Sequence, residues 1–278
     1  MTTTPRPRSR RFFSAVWRIA LALLPLGAGL ALATILLPAS DHHRSDPATL
    51  GLRIAAGIVI SAAVLTVIAL LVRRADQRRM RDAGLTSVRT GWRLAVWGVI
   101  VWTIPAAATF GVLALLGAPL TVTVPGPELA RTVILLLVAV LLAEALPEEA
   151  VFRGYVTTVL GTLTRGWGVI IIQALLFTLF AALLRQNANP ADLSLFLAMG
   201  IGFGYLRMIT GSVWMPIGFH TAFQSGAQLV LTHDAIDFAG GTGAAMLALG
   251  VIPFSVAAIL ISSTGIPRIV HPGPGSTR

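Results

Sequence analysis

The chain has 278 residues, of which 55% are hydrophobic and only 12% are charged, and its mean hydropathy is +0.82. This composition excludes a soluble domain of that length and indicates an integral membrane protein. The chain has no cysteine, which excludes disulfides and thiolate metal sites, and all 21 of its basic residues are arginine.

Eight stretches of the sequence are apolar enough to cross a bilayer, which takes about 17 to 25 helical residues each. We therefore predict an all-α fold, a polytopic membrane helix bundle of about eight transmembrane helices with no soluble domain. Residues 1–127 hold spans one to three, 128–231 hold spans four to seven, and 232–278 hold the last span and a tail rich in Pro and Gly. In chain order the predicted spans are 19–37, 54–72, 94–116, 132–146, 169–184, 193–208, 213–231 and 243–261.

The arginines flank the predicted spans unequally. With the amino terminus inside, 17 of the 21 fall on the cytoplasmic side, and the opposite side receives only Arg44, Arg53, Arg131 and Arg185. Because cytoplasmic segments of membrane proteins carry the excess of positive charge, we predict that both termini lie in the cytoplasm and that the protein resides in the cell membrane. Membrane-flanking arginines already explain the net charge of +10. We therefore expect membrane lipids, and no nucleic acid, as partners.

The stretch 144–153 places three carboxylates at the end of a long apolar run, where an uncompensated charge is costly. On a helix, Glu149 and Arg153 stand four residues apart and are predicted to pair, whereas Glu148 has no basic residue three or four positions away. Glu144 and Glu148 are expected to share a neighbouring face of the helix. A crowded, partly desolvated carboxylate is suited to take a proton from an attacking water near neutral pH. The alternative is a solvated helix end where the chain leaves the membrane.

A second group of motifs lies between residues 200 and 224. Gly200 and Gly204 form a pair of small residues that predicts close packing of one helix against a neighbour. After a tight turn predicted at 210–212, the chain re-enters the membrane and places His220 and Gln224 one helical turn apart. A single intramembrane histidine is typical of an interhelical hydrogen bond. The predicted topology, however, puts His220 in the same cytoplasmic half as Glu148.

These motifs resemble those of the CAAX-processing and bacteriocin-processing family of intramembrane proteases, which contains type II CAAX prenyl endopeptidases and lysostaphin-resistance-like proteins. Residues 148–153, EEAVFR, are similar to the family's E-E-x-x-x-R motif. The later signature is similar to the runs GYLR at 204–207 and TGSVW at 210–214, followed by Pro216 and His220. The resemblance covers about 128–231. It implies an all-helical membrane core with a polar cavity open to the cytoplasm, where peptide bonds are hydrolysed.

The resemblance also implies roles for individual residues. Glu148 would be the base that activates water, Glu149 with Arg153 would be its structural and electrostatic support, and His220 would stabilise the tetrahedral oxyanion. Gln224 stands where the family usually has Asn or Asp. Its amide keeps the hydrogen-bond donor and places it one methylene farther out.

The fifth span departs from the family's Phe-x-x-x-His motif. Phe177 matches, but the fourth residue on is Ala181, and the span contains no histidine. In relatives that histidine helps to position the attacking water or to bind zinc. Glu148, Glu149 and His220 would supply three zinc ligands only if both adjacent carboxylates turned inward, although consecutive helical residues point about 100° apart. The naming of the family as metalloprotease-like suggests a divalent metal such as zinc, but this sequence does not supply a complete set of ligands for it. The identity of any cofactor therefore stays open.

Three functions remain open, and we favour the first. An intramembrane endopeptidase acting on a membrane-associated or C-terminal peptide explains Glu148, Glu149, Arg153 and His220 together. A catalytically inactive relative, which would serve as a membrane scaffold, a substrate-binding protein or a bacteriocin self-immunity protein, explains the same fold and also Ala181. A transporter would suit intramembrane acids, but the two halves of the chain show no obvious inverted repeat.

Overall fold

A computed structural model describes residues 8–36, 46–267 and 270 of the chain. The predicted all-α architecture is confirmed within these residues, because nearly all of the regular structure is helical. The long helices are α1 (Arg8–Leu36), α2 (Pro47–Ala75), α3 (Val88–Leu115), α4 (Gly126–Leu160), α5 (Trp167–Arg185), α6 (Pro190–Thr210), α7 (Trp214–Leu231) and α8 (Gly241–Thr264). A 3₁₀ turn, Met80–Ala83, precedes α3.

Seven of these helices are long and apolar enough to cross a membrane, within the part of the chain that the structure describes. The chain is therefore a multi-pass membrane protein, as its composition indicated. The predicted span 213–231 does form a helix, α7, but α7 is not among the seven. His220, Gln224 and Gln228 lie along it and lower its hydropathy.

Two short strands were not predicted from the sequence. β1 (Leu120–Val122) pairs antiparallel with β2 (Ile236–Phe238), with Leu120 opposite Phe238 and Val122 opposite Ile236. Three residues are too few to show an alternating pattern, so the pairing depends on where α3 and α7 end.

By their contacts, the residues divide into two compact units, each drawn from three stretches of the chain. The first unit comprises Met1–Ala31, Ile60–Thr86 and Pro147–Val213. Its helices α5 and α6 pack closely, because a Cβ added to Gly200 would lie 2.8 Å from the Cα atom of Ala174. The close packing predicted from Gly200 and Gly204 is confirmed, since a Cβ on Gly204 would also lie 3.1 Å from the Ile170 side chain.

The end of α6 follows from its sequence. Gly211 caps the helix in the left-handed conformation, with φ of 64°, and its N–H donates to the carbonyl of Arg207. Glycine is the residue that adopts this conformation without steric cost. The turn predicted at 210–212 is thus confirmed, and α7 begins at Trp214.

The second unit comprises Leu32–Val59, Ser87–Leu146 and Trp214–Arg278. Its helices α3 and α7 approach backbone to backbone, because a Cβ on Gly98 would overlap the Met215 carbonyl oxygen and a Cβ on Gly218 would overlap that of Ala95. Small residues at such a contact let two membrane helices pack without an apolar side chain between them. Residues 215–223 of α7, which include His220, are all buried.

Candidate functional site

The acidic motif lies where α4 departs from regular α-helical spacing. Two π-helical turns, Leu141–Ala145 and Ala150–Val156, flank a single α-helical turn, Leu146–Glu149. Pro147 has no N–H to donate to the preceding turn, which is a common cause of a local change in helical spacing. Single π-helical turns inside α-helices are frequent at functional sites.

The predicted pair of Glu149 and Arg153 is confirmed. The Nη1 atom of Arg153 lies 3.1 Å from the Oε1 atom of Glu149, and both side chains are fully buried. The Nη2 atom of Arg153 also donates to the carbonyl of Met199, at 3.5 Å. A buried charge requires a partner, because the low dielectric of the interior strongly disfavours an isolated ion.

Aromatic rings enclose the Arg153 guanidinium in the first unit. Its Cζ atom lies 4.4 Å from the ring centroid of Phe177, 5.1 Å from that of Phe203 and 5.9 Å from that of Phe152. Phe152 and Phe177 pack edge to face, with their centroids 5.1 Å apart. A cation above a ring face is attracted by the ring quadrupole. Phe177, which matched the motif of the fifth span, therefore contacts the supporting arginine directly.

Ala181 lies one helical turn beyond Phe177 on α5, and its side chain is 7% exposed. It is buried in the first unit, where its methyl group offers no hydrogen bond. The position at which relatives carry histidine is thus apolar and enclosed in this chain.

Glu148 and Glu149 differ in exposure although they are neighbours. Glu149 is fully buried beside Arg153, whereas Glu148 is only half-buried. Consecutive helical side chains point about 100° apart, so one carboxylate faces the interior while the next stays accessible. A half-buried carboxylate next to a fully buried ion pair is suited to act as a general base.

His220 and Gln224 belong to the second unit, whereas Glu148, Glu149, Arg153 and Phe177 belong to the first. His220 is 2% exposed on α7, and Gln224, one turn further on, is half-buried. Next to His220 in the chain, the ring of Phe219 packs on that of Phe254 in α8, with centroids 4.7 Å apart.

A polar cluster in the second unit was not predicted from the sequence. The Nη2 atom of Arg53 donates to Oε1 of Glu144 at 3.0 Å and to Oε1 of Gln228 at 2.9 Å, and Nε2 of Gln228 donates to the same Glu144 oxygen at 3.1 Å. The sequence placed Arg53 directly before the second predicted span; in the structure α2 begins at Pro47, so Arg53 lies within this helix, in its second turn. The only sequence signal was Glu144 itself, since an acid in an apolar helix requires a partner.

The described side chains do not fit a metal centre. Among residues 8–36, 46–267 and 270, no group of three or more His, Asp or Glu side chains is placed to hold a metal ion. A catalytic zinc site needs about three protein ligands around one open position. No step of the chemistry below therefore depends on a metal.

Comparison with known proteins supports the resemblance seen in the motifs. Residues 130–226 match the family model described as type II CAAX prenyl endopeptidase Rce1-like. Neither the curated proteins nor the solved structures gave a match to the chain. The matched segment begins in the first turns of α4, ends within α7 and contains both Glu148 and His220. Over residues 130–226 the chain is therefore similar to the CAAX-processing endopeptidase family that its motifs resemble.

Proposed function

We propose that this protein is an intramembrane endopeptidase of the CAAX-processing type, which cleaves a membrane-associated or C-terminal peptide. The observation that carries the proposal is the contrast on α4 between the half-buried Glu148 and the fully buried pair of Glu149 and Arg153. One carboxylate stays accessible while its neighbour is locked in place. The match of residues 130–226 to a protease family supports the same class of reaction.

In the proposed reaction Glu148 takes a proton from water, and the resulting hydroxide attacks the carbonyl carbon of the peptide. His220 donates a hydrogen bond to the oxygen that becomes negative in the tetrahedral intermediate. When the carbon–nitrogen bond breaks, the proton held by Glu148 passes to the leaving amine, which regenerates the carboxylate. Glu149 and Arg153 hold the turn that carries Glu148. From the distribution of arginines, we place this chemistry on the cytoplasmic side of the cell membrane, with membrane lipids as partners.

The alternative is a catalytically inactive relative that binds peptides or acts as a membrane scaffold or self-immunity protein. It is favoured by Ala181, a buried methyl group where relatives carry histidine. Without that imidazole, one of the groups that would orient the attacking water is absent. Both functions use the same helices, so activity has to be measured directly.

The test is cleavage of a peptide library by the purified protein reconstituted in membranes. We expect Glu148→Ala and His220→Ala each to lower the rate by about 100- to 1000-fold. Removing one general base or one oxyanion donor usually lowers the rate of an enzyme by a factor of this size. Glu128→Ala is the matched control, because Glu128 is an exposed acid in the first turn of the same helix. Turnover by either site variant within a few-fold of the parent would remove that residue from the mechanism.

Two further outcomes would bear on the scaffold function and on the need for a metal. A folded parent that cleaves none of the peptides cut by active relatives would favour the scaffold. Loss of cleavage on adding a chelator, followed by recovery with zinc, would show that the reaction requires a metal.

A further inference from the structure

The π-helical turn Ala150–Val156 is braced by side chains at three successive carbonyl groups. Oγ1 of Thr157 donates to the carbonyl of Phe152 at 2.9 Å, and Oγ1 of Thr158 donates to that of Gly154 at 2.7 Å. The carbonyl between them, that of Arg153, accepts from Nε of Arg207 at 3.0 Å. The two threonines are local to α4, whereas Arg207 reaches the turn from α6.

Arg207 is an unusual donor for a backbone carbonyl. It lies in the last turn of α6, a helix long and apolar enough to span, and it is only partly exposed. Among the described residues it makes no ion pair, and its hydrogen bond goes to the Arg153 carbonyl. Ionisable side chains in such helices are rare and usually serve a function. Here a charged donor is directed at a neutral acceptor in the turn that follows the two glutamates.

The loop before α3 is shaped to seat this guanidinium. A Cβ on Gly84 would lie 2.6 Å from Cζ of Arg207, so any other residue would displace the side chain. Gly84 also has φ of 75°, a conformation that favours glycine. Its carbonyl accepts the N–H of Val213 at 3.1 Å, and a Cβ on Gly154 would lie 3.4 Å from the carbonyl oxygen of Ala83. The loop therefore contacts both the π-helical turn and the segment that follows α6.

We propose that Arg207, seated on Gly84, is a positioning residue that holds the π-helical turn of α4 and thereby orients Glu148 and Glu149. The expected effect of Arg207 on catalysis rests on the proposed function, whereas its expected effect on the π-helical turn does not. The guanidinium fixes the Arg153 backbone from outside, while the Arg153 side chain holds Glu149 from within the same unit. A shift of this turn would move both carboxylates together.

The first test compares Arg207→Gln and Arg207→Lys by hydrogen exchange of the amides in segment 150–160. Lysine keeps the charge but has no Nε–H at the position of the guanidine nitrogen. Both variants should therefore raise exchange by about tenfold or more, the factor that corresponds to a hydrogen bond from a charged donor. Arg165→Gln is the matched control, because Arg165 is exposed and should leave this segment unchanged. Parent-like exchange in Arg207→Lys would mean that only the charge matters and would overturn the proposal.

The second test uses two glycines with the same backbone conformation. Gly84 and Gly241 both have φ of 75°, but only Gly84 has the Arg207 guanidinium within 4 Å of an added Cβ. Gly84→Ala should raise exchange in 150–160 as Arg207→Gln does, and combining the two should add little further. Gly241→Ala carries similar backbone strain and should leave the segment protected. Equal effects from the two glycine variants would show that strain, not the seat for Arg207, is responsible.

Rate measurements separate this inference from the proposed function. In an active parent, Arg207→Gln should lower kcat by about tenfold or more and leave KM within about twofold, because the substrate contacts are kept while the carboxylates move. A parent without proteolysis would count against the proposed function, and the exchange data would still decide the role of Arg207. An active parent with unchanged exchange and unchanged kcat in the Arg207 variants would overturn the inference alone.

Discussion

The buried pair of Glu149 and Arg153 makes the sharpest prediction of stability. Arg153→Met removes the guanidinium while keeping most of the apolar length of the side chain. Glu149, which is fully buried, would then lose the cation that lies 3.1 Å from it. Removing one partner of a buried ion pair costs about 3 to 5 kcal/mol. Loss of the contacts with the rings of Phe177 and Phe203 adds about 1 to 2 kcal/mol. We therefore expect the free energy of unfolding to fall by about 4 kcal/mol or more, with lower expression and activity.

A double variant measures how strongly the Glu149 and Arg153 side chains interact with each other. Glu149→Gln alone leaves Arg153 buried and uncompensated, whereas Glu149→Gln with Arg153→Met leaves no buried charge. The combined loss should therefore be smaller than the sum of the two single losses by about 2 kcal/mol or more. Arg185→Met is the matched control, since Arg185 is an exposed cation 5.1 Å from the ring of Phe196. It should cost no more than about 1 kcal/mol.

Reversible unfolding of the purified protein in mixed micelles, followed by circular dichroism, measures these differences. Parent-like unfolding of Arg153→Met would refute the reasoning, because a fully buried guanidinium cannot be removed from an ion pair without cost. Strictly additive single losses would also refute it, since they would show that the two side chains do not interact.

Three further predictions follow from the other residues. Ala181→His should raise the rate of hydrolysis by a weakly active parent, because an imidazole in the fifth helix can orient the attacking water. Gln224→Asn should raise the rate further, and an unchanged rate in the folded double variant would favour the scaffold function. Reporter fusions after Arg81 should read cytoplasmic and fusions after Asp237 external, and the reverse result would place Glu148 on the other side of the membrane. Glu144→Leu should lower the free energy of unfolding by about 3 kcal/mol, because it leaves a largely buried guanidinium without its carboxylate, and parent-like unfolding would show that this cluster does not contribute.

Local features of the chain were predicted correctly from the sequence. A helix that crosses a membrane must satisfy its backbone hydrogen bonds internally, so length and apolar composition are enough to find it. The pair of Glu149 and Arg153 needed only the spacing of one helical turn. Close packing at Gly200 was predicted for a similar reason, since a small residue in an apolar helix marks where a neighbour can approach. The span expected at 213–231 forms the helix α7. Its polar residues lower its hydropathy, so it is not among the seven helices that are apolar enough to cross a membrane.

The sequence by itself determined the membrane class, the positions of the helices, the family motifs and the contacts made within one helical turn, because each of these depends on residues close together in the chain. Only the tertiary structure decided which distant groups meet. Arg53 lies 91 residues from Glu144 and 175 from Gln228, and Arg207 lies 54 residues from the carbonyl it braces. No local pattern encodes such partners. Packing selects them, since a charge enclosed among apolar helices has to be satisfied by whichever polar group the fold brings within hydrogen-bond distance.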